Sequence, residues 1–338
     1  MKVTSLWLRS IWSDGRHNAF PGIARFGAHY YVTCRNTEGH QAPRSCILVL
    51  RAPAADLDKW EKVASFDLGA DSRDPFIADV NGRLHVYWHH REDYVATSAD
   101  GLSWTSPQPL DTEFPALPPG CDLDFTSRRR WLFRFRRGPD GAWYSIGRCG
   151  IASNGEPGVL LYRSLDGIRW SAMHTFGEGI RRVIPPKRGG GHESDIAFMP
   201  NGVAVAAIRT QHQGLIASAP PPWRDWDPAN ARWTGIYSFG GPALHVTSHG
   251  LLLAARSTPA DEPARCTLWT VTPAGLINPC IVPSGGDCAY QTFADGPAGE
   301  ILLCYYSSHE WPQLPHGANP ANLYLARLTL HPSLTPSF

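Results

Sequence analysis

The chain carries little charge and no excess of either sign. Charged residues make up 18% of its 338 positions, and the formal net charge is +1. No global field therefore draws it to nucleic acid or to an anionic membrane, and neither is expected as a partner. It also lacks any apolar run of membrane-spanning length. The N-terminal "MKVTSLWLRSIWSDGRH" has a basic residue but no apolar stretch of the kind a signal peptide needs. The chain as written is expected to be cytoplasmic, or secreted or periplasmic if a leader has been removed. Its eight cysteines include no CxxC pair, which argues against a cysteine-built zinc site. Several fall in apolar strand-like runs such as "ILLCYY" (301–306), where buried free thiols are expected.

What the chain does have is 32 Gly, 30 Pro and 13 Trp within a 43% hydrophobic composition. That profile suits many short strands joined by turns better than a helical bundle. Length alone would allow two domains, but closed β architectures reach this size as one unit. A degenerate repeat supports the second option. Each unit opens with a polar Gly/Asp/His cluster and continues as an alternating strand, an Asn-Gly-like turn and a second apolar strand. The six units open at 16–35, 72–88, 131–148, 193–209, 240–256 and 286–306. Second hairpins follow at 45–52, 94–104, 158–170, 214–226, 266–275 and 322–330. Units of this length fit four-stranded propeller blades. "VTSLWLRSIW" (3–12) is then free to supply the outer strand of the last blade. The expected fold is all-β, a single six-bladed β-propeller over 1–338 with no helix of consequence.

"SADGLSW" (98–104) and "SLDGIRW" (164–170) repeat one turn between a third and a fourth strand. Ser and Asp side chains bond local amides, Gly permits positive φ, and Trp packs between blades. The turn is structural. "DLDKW" (56–60) and "RDW" (224–226) read as eroded copies.

These turns, with the six units, resemble the sialidase (neuraminidase) superfamily of six-bladed propellers. Its Asp-box, Ser-x-Asp-x-Gly-x-x-Trp, is one residue longer than the copies here. The chain is more closely similar to bacterial sialidase-like proteins, through "RHNAF" (16–20), "SRDP" (72–75), "ESDIAFMPNG" (193–202), "PSGGDCAY" (283–290) and "YYSSHE" (305–310). The likeness covers roughly 12–330. It is specific for fold and weak for substrate, because propellers host many chemistries.

In a propeller the first strands of all blades meet at the axis, so residues at their entry ends share one pocket. The resemblance implies that Tyr290 is a nucleophile and that Glu193 accepts its proton. A phenol with pKa near 10 needs such a partner to attack at neutral pH. The plain alternative is a core aromatic and a turn-capping acid. The resemblance further implies an arginine triad that holds a substrate carboxylate, a task suited to the guanidinium fork. Arg209 matches one member. Arg256 or Arg265 would be another. For the first, Arg16 or His17 stands where the family has arginine, with Arg35 as a further candidate. That departure argues against strict sialic acid specificity. Salt bridges between blades would explain the same arginines.

Asp74 opens the second inner strand as a candidate general acid or hydroxyl ligand, with Glu38 competing and an Asp-Pro turn as the bland reading. Asp287 is expected among the substrate-binding residues. His17, His40, His89, His90, His192 and His309 fall at or near strand ends. They form no HxH or HxxxH pair, so no metal or cofactor is expected unless a site is assembled across blades. As a group they suggest a polar, saccharide-sized pocket. Trp12, Trp88, Tyr306 and Trp311 would stack on sugars or pack blades. The basic, Gly-rich 181–193 lacks the Lys-Ser/Thr of a phosphate loop and reads as a loop beside the pocket.

Three functions are compatible with this pattern. The first is a hydrolase acting on a glycoside that bears a carboxylate. The second is a polysaccharide lyase in which His17 or His309 exchanges protons with Tyr290. The third is a non-catalytic sugar-binding propeller.

Overall fold

The computed structural model describes residues 2–113, 131–151, 157–174, 179–184, 190–258, 263–297, 299–311 and 319–331. These form six antiparallel sheets arranged as the blades of a propeller. Blade 1 comprises His17–Phe26, His29–Thr37, Cys46–Pro53 and Glu61–Phe66. Blade 2 comprises Arg73–Val80, Arg83–His89, Asp93–Ser98 and Gln108–Pro109. Blade 4 runs through Ser194–Phe198, Ala204–Arg209, Gln213–Ala219 and Ala231–Tyr237. Blade 5 runs through Gly240–Thr247, Gly250–Ser257, Arg265–Thr272 and Gly275–Ile281.

Blade 3 departs from this regularity. Its first strand is broken into Trp131–Leu132 and Arg136–Arg137, ahead of Trp143–Ile151, Pro157–Ser164 and Arg169–Ala172. Asp111–Glu113 adds a short parallel strip on its outer edge. In blade 6, Cys288–Asp295, Ile301–Ser307 and Asn322–His331 are completed by the N-terminal Lys2–Trp12. The ring is thus closed by a strand from the opposite end of the chain. Asn18 N–H donates to the Ala321 carbonyl and Ala321 N–H to the Arg16 carbonyl, tying blade 6 to blade 1 a second time. Among the described residues the only helical turns are Gly179–Val183 and Pro228–Asn230, and no helix is long and apolar enough to cross a membrane.

The core explains why the strands read as near-continuous apolar runs. It divides into six clusters, and each lies between two neighbouring blades. An inner strand is covered on both faces, so Ile301–Ser307 is buried at every position. Each fully buried Leu, Ile or Val contributes about 1.5–3 kcal/mol. A blade cannot leave the ring without exposing two such clusters. Cys34, Cys46, Cys266, Cys280, Cys288 and Cys304 are free, and Cys34, Cys266, Cys288 and Cys304 are buried; Cys121 lies outside the described residues.

The repeated turn sits where the third and fourth strands of blades 2 and 3 meet. Ser98 Oγ accepts the amides of Asp100 and Gly101, and Asp100 Oδ1 accepts those of Leu102 and Ser103. Ser164 and Asp166 repeat the pattern. Each glycine abuts a tyrosine of the preceding blade: a Cβ on Gly101 would lie 2.0 Å from Tyr31 Oη, and one on Gly167 would lie 2.6 Å from Tyr87 Oη. Trp170 Nε1–H donates to the carbonyl three residues back. Trp60 and Trp226 make the same bond to Leu57 and Trp223, so the eroded turns keep the indole brace after losing their serine.

Gly101→Ala is therefore expected to cost more than Gly82→Ala. Both glycines have positive φ, +75° and +80°, but Gly82 faces open space. Backbone strain alone is worth about 1–2 kcal/mol, and displacing Tyr31 adds about 1–3 kcal/mol. Urea midpoints of the two variants check this, and equal losses would contradict it.

Candidate functional site

Four inner strands carry the same irregularity. The ladder slips by one residue after Ala19, Arg73, Gly240 and Ala289, in blades 1, 2, 5 and 6. At each slip the next residue is left-handed: Phe20 (φ 58°), Asp74 (φ 49°), Gly241 (φ 54°) and Tyr290 (φ 52°). A bulge of this kind re-aims one side chain. Phe20, Asp74 and Tyr290 all face one axial cavity of about 250 Å³. Gly241 yields its place to Tyr290, because a Cβ there would lie 2.8 Å from Tyr290 Cα and ring atoms.

The partner position on the second strand is also reused. Arg35 pairs with Ala19, His89 with Arg73, Arg148 with Trp131, Arg256 with Gly240 and Tyr306 with Ala289. Arg209 stands opposite Glu193, through an Arg209 N–H bond to the Glu193 carbonyl. Of these six residues, Arg148, Arg209, Arg256 and Tyr306 line the cavity. Arg73, Trp131, Phe133, His40, His192 and Glu193 complete much of the wall.

Tyr290 Oη donates to Glu193 Oε1 at 2.7 Å, and Arg209 Nη1 donates to the same oxygen at 2.6 Å. Burial would raise the Glu193 carboxyl, but the Arg209 guanidinium and the tyrosine hydrogen bond hold it below its ordinary value. Asp74 lines the same cavity. Burial, reinforced by the charge of Glu193, raises Asp74 to about 7. The same burial, with both carboxylates close by, pushes the Tyr290 phenol well above 10. Glu193 is thus ionised, whereas Asp74 titrates near neutral pH. Burial also lowers His192 to about 4, so it is neutral near pH 7.

Not every expected residue reaches the cavity. Arg16 is exposed outside it, as is Glu38. Arg35 is fully buried because Asp71 captures its guanidinium at 2.7 and 2.9 Å. Arg265 donates to the Ser284 carbonyl, so of the two alternatives it is Arg256 that lines the wall. His309 bonds Ser307 Oγ and packs on Tyr324. His89 stacks on Trp131, and His90 bonds the Asp71 carbonyl. Trp12 packs in the core between blades 6 and 1, Trp88 stacks on Phe66, and Trp311 lies off the cavity. The centre of the 181–193 loop, 185–189, lies outside the described residues.

Arg73, Arg148 and Trp131 line the cavity without having been singled out in the sequence. The signal for Arg148 was present: units one, three, four and five all end in arginine at the same point.

His17 and Asp287 form a buried cluster against the wall. His17 Nε2 and His40 Nδ1 approach Asp287 Oδ2 at 2.8 and 2.5 Å, and Tyr306 donates to Oδ1 at 2.9 Å. The three candidate donor atoms of His17, His40 and Asp287 lie within 4.8 Å of one another. Donors bound at about 2.0–2.2 Å to one ion stand roughly 3 Å or more apart. The shorter separations seen are those of hydrogen bonds, so the cluster is held by protons. Below the cavity, Arg134 fills the axis. It donates to the carbonyls of Gly241, Pro242 and Gln291.

No family model matches the chain, and no curated protein matches it in sequence. Its fold is that of several solved structures. A protein of unknown function from Dyadobacter fermentans superposes with a TM-score of 0.74 at 14% identity, covering 96% of this chain and 99% of that one. Trypanosoma rangeli sialidase with the inhibitor DANA gives a TM-score of 0.58 at 12% identity over 92% of this chain, which spans 55% of the sialidase. A GH43_1 enzyme from Xanthomonas citri gives 0.51 at 13% identity, covering 95% and 90%. At these identities the likeness is one of fold alone, and it is shared with known glycoside hydrolases.

Proposed function

We propose that the chain is a glycoside hydrolase that attacks a carboxylate-bearing sugar with Tyr290. The observation that carries this reading is the 2.7 Å bond from Tyr290 to Glu193 inside an arginine-lined cavity. A buried phenol stays protonated at rest, so its proton must leave as the bond to carbon forms. Glu193, kept ionised by Arg209, is in reach to take it. Arg73, Arg148, Arg209 and Arg256 share the wall with two acids, Glu193 and Asp74, and Asp74 is only partly ionised near neutral pH. The wall is therefore net positive and suited to an anion. Covalent catalysis on this fold has a precedent in T. rangeli sialidase, which has been solved with 2,3-difluorosialic acid as a covalent intermediate. The sugar itself, sialic or uronic, is left to the test.

The chemistry balances as follows. Tyr290 Oη joins the anomeric carbon while its proton passes to Glu193, and the glycosidic C–O bond breaks with a proton delivered to the leaving oxygen. Water then adds hydroxyl to the anomeric carbon as the Tyr290 Oη–carbon bond breaks, its other proton replaces the one given to the leaving oxygen, and Glu193 returns its proton to Tyr290.

Wild type and Tyr290→Phe should be incubated with sialosides, uronic-acid oligosaccharides and rhamnosides, with products read by mass spectrometry. The expected products together weigh one water more than the substrate. Tyr290→Phe should lower kcat by roughly 10³-fold or more. Undiminished turnover in the variant would remove Tyr290 as nucleophile. Products without added water would assign β-elimination instead, and no turnover would favour a binding protein.

Asp74 yields a second prediction. Its folded value of about 7 lies above the unfolded 3.8, so between these limits the native state holds a proton that the unfolded chain has lost. Stability contributed by this group is complete below about pH 4 and declines as pH rises to about 7. Asp74→Asn should therefore raise the melting temperature at pH 8 while changing it little at pH 4. An equal shift at both pH values would refute the assignment.

A further inference from the structure

A single carboxylate does not account for where the arginines of the wall stand. The core clusters between neighbouring blades follow chain order around the ring, so blade 2 lies directly across the axis from blade 5. Arg256 reaches the cavity from blade 5 and Arg209 from blade 4 beside it, whereas Arg73 reaches it from blade 2. A carboxylate gripped by the forks of Arg209 and Arg256 leaves Arg73 on the far side.

The two sides carry positive charge of different origin. Arg209 is paired with Glu193. Arg256 has no ion pair among the described residues, and its Nε donates to the Ser238 carbonyl at 3.2 Å. Its guanidinium lies against Gly240, where a Cβ would come within 2.9 Å of Cζ. Across the axis, one carboxylate serves two guanidinium groups. Asp71 Oδ1 accepts from Arg35 Nε and Nη2 at 2.9 and 2.7 Å, and Oδ2 accepts from Arg73 Nε at 2.5 Å. Burial would raise Asp71, but Arg35 and then Arg73 hold it below its ordinary value, so it is ionised. Arginine keeps its proton, and the trio of Arg35, Asp71 and Arg73 therefore carries a net positive charge.

That charge is presented through Arg73. Arg35 is fully buried and spends further donors on the Gly39 and Ala42 carbonyls. The Arg73 side chain is 25% exposed and lines the cavity. Its Nε is fixed on Asp71 and its Nη2 on the His40 carbonyl at 3.1 Å. Among the described residues its Nη1 makes no hydrogen bond. A guanidinium held at two points gives up little freedom on binding, and its remaining donors suit an oxyanion. Asp74, next along the strand, titrates near neutral pH and so subtracts less than a full charge from this side.

We infer that Arg73 anchors a second anion subsite, and that the ligand carries two anionic groups: a carboxylate toward Arg209 and Arg256, and a second oxyanion toward Arg73. The second group is either a sulfate ester on the same sugar or the carboxylate of an adjoining acidic sugar. The inference rests on the reading of the cavity as a site for carboxylate-bearing sugars. Asp71 and Arg35 are positioning residues for Arg73.

The test is calorimetric binding at one low ionic strength, in the Tyr290→Phe protein so that no probe is consumed. The probes are glucuronic acid and N-acetylneuraminic acid, the mono-O-sulfates of each, and the disaccharides formed from two such acids. The best doubly anionic probe should bind roughly 10-fold or more tighter than its singly anionic parent, the scale of one charge-assisted hydrogen bond. Arg73→Gln should bring that ratio close to one, and Arg73→Lys should keep part of it. Arg44→Gln, which changes an exposed arginine outside the cavity, should leave the ratio as it was. A gain confined to the sulfates puts the second anion on the same sugar, and one confined to the disaccharides puts it on the next. A ratio near one before Arg73 is changed overturns the subsite. So does a ratio that Arg73→Gln leaves intact, which would make Arg73 only a brace for the His40 loop. A ratio lost equally in Arg44→Gln would be a general charge effect and overturns it too. Turnover in Tyr290→Phe removes the nucleophile, while the ratio still decides the subsite. Failure of every acidic sugar to bind removes the carboxylate reading and this inference with it.

Discussion

The cavity depends on one buried guanidinium. Arg134 lies at the axis, 7% exposed, and spends its donors on the carbonyls of Gly241, Pro242 and Gln291. Those carbonyls belong to the bulges of blades 5 and 6, where the regular ladder has been interrupted and cannot satisfy them. A left-handed non-glycine residue costs on the order of 1–3 kcal/mol and persists only where its surroundings over-determine it. Arg134 supplies that determination for Tyr290. Burial lowers Arg134 to about 10, still well above neutral, so the plug remains charged. Beside it, Arg136 forms a two-pronged pair with the fully buried Asp195, which also accepts the Leu244 amide. The axis is therefore filled by ionic bonds directed at backbone, and the side chains above it inherit fixed positions.

The same register position serves different ends around the ring. Arg148, Arg209 and Arg256, in three consecutive blades, point into the cavity. Arg35, at the equivalent point of blade 1, is turned away by Asp71, which also pairs with Arg73 at 2.5 Å. The exchange brings Arg73 to the wall and places Arg35 beneath the His40 loop. Blade 2 has His89 at this point, stacked on Trp131 at 4.0 Å. One acid between blades 1 and 2 thus decides which arginine reaches the cavity and which one braces the loop.

Much of the fold was legible because its periodicity is written in adjacent residues. Strand alternation, turn glycines and the Ser-x-Asp-Gly turns are all local signals. Tyr290, Glu193, Asp74 and Arg209 were legible as strand-end residues, since a propeller sends strand ends to its axis. Arg16, Arg265 and His309 lie within a few residues of such ends, yet the backbone carries them past the opening. Arg35 could not be resolved, because its fate depends on Asp71 in the next blade. The bulges left only a trace: proline follows Phe20, Asp74 and Gly241, where a missing N–H suits an interrupted ladder. Positive φ at Tyr290 had no such marker. His40 was visible only as one histidine among several, since its partner Asp287 is 247 residues away.

The cavity's charge links stability to binding. Four arginines outnumber the two acids on the wall, Glu193 and Asp74, and like charges in a partly enclosed space repel. Arg73 and Arg209 are relieved by Asp71 and Glu193, whereas Arg256 has the Ser238 carbonyl. An entering carboxylate would meet forks already positioned by blades 3, 4 and 5, so little ordering would be lost on binding. Asp74 adds to the same economy. Raised to about 7 by burial and by the charge of Glu193, its carboxyl carries less negative charge near neutral pH than an ordinary carboxylate and so repels an entering anion less. A wall so arranged favours an anion over a neutral sugar before any contact with hydroxyl groups is made.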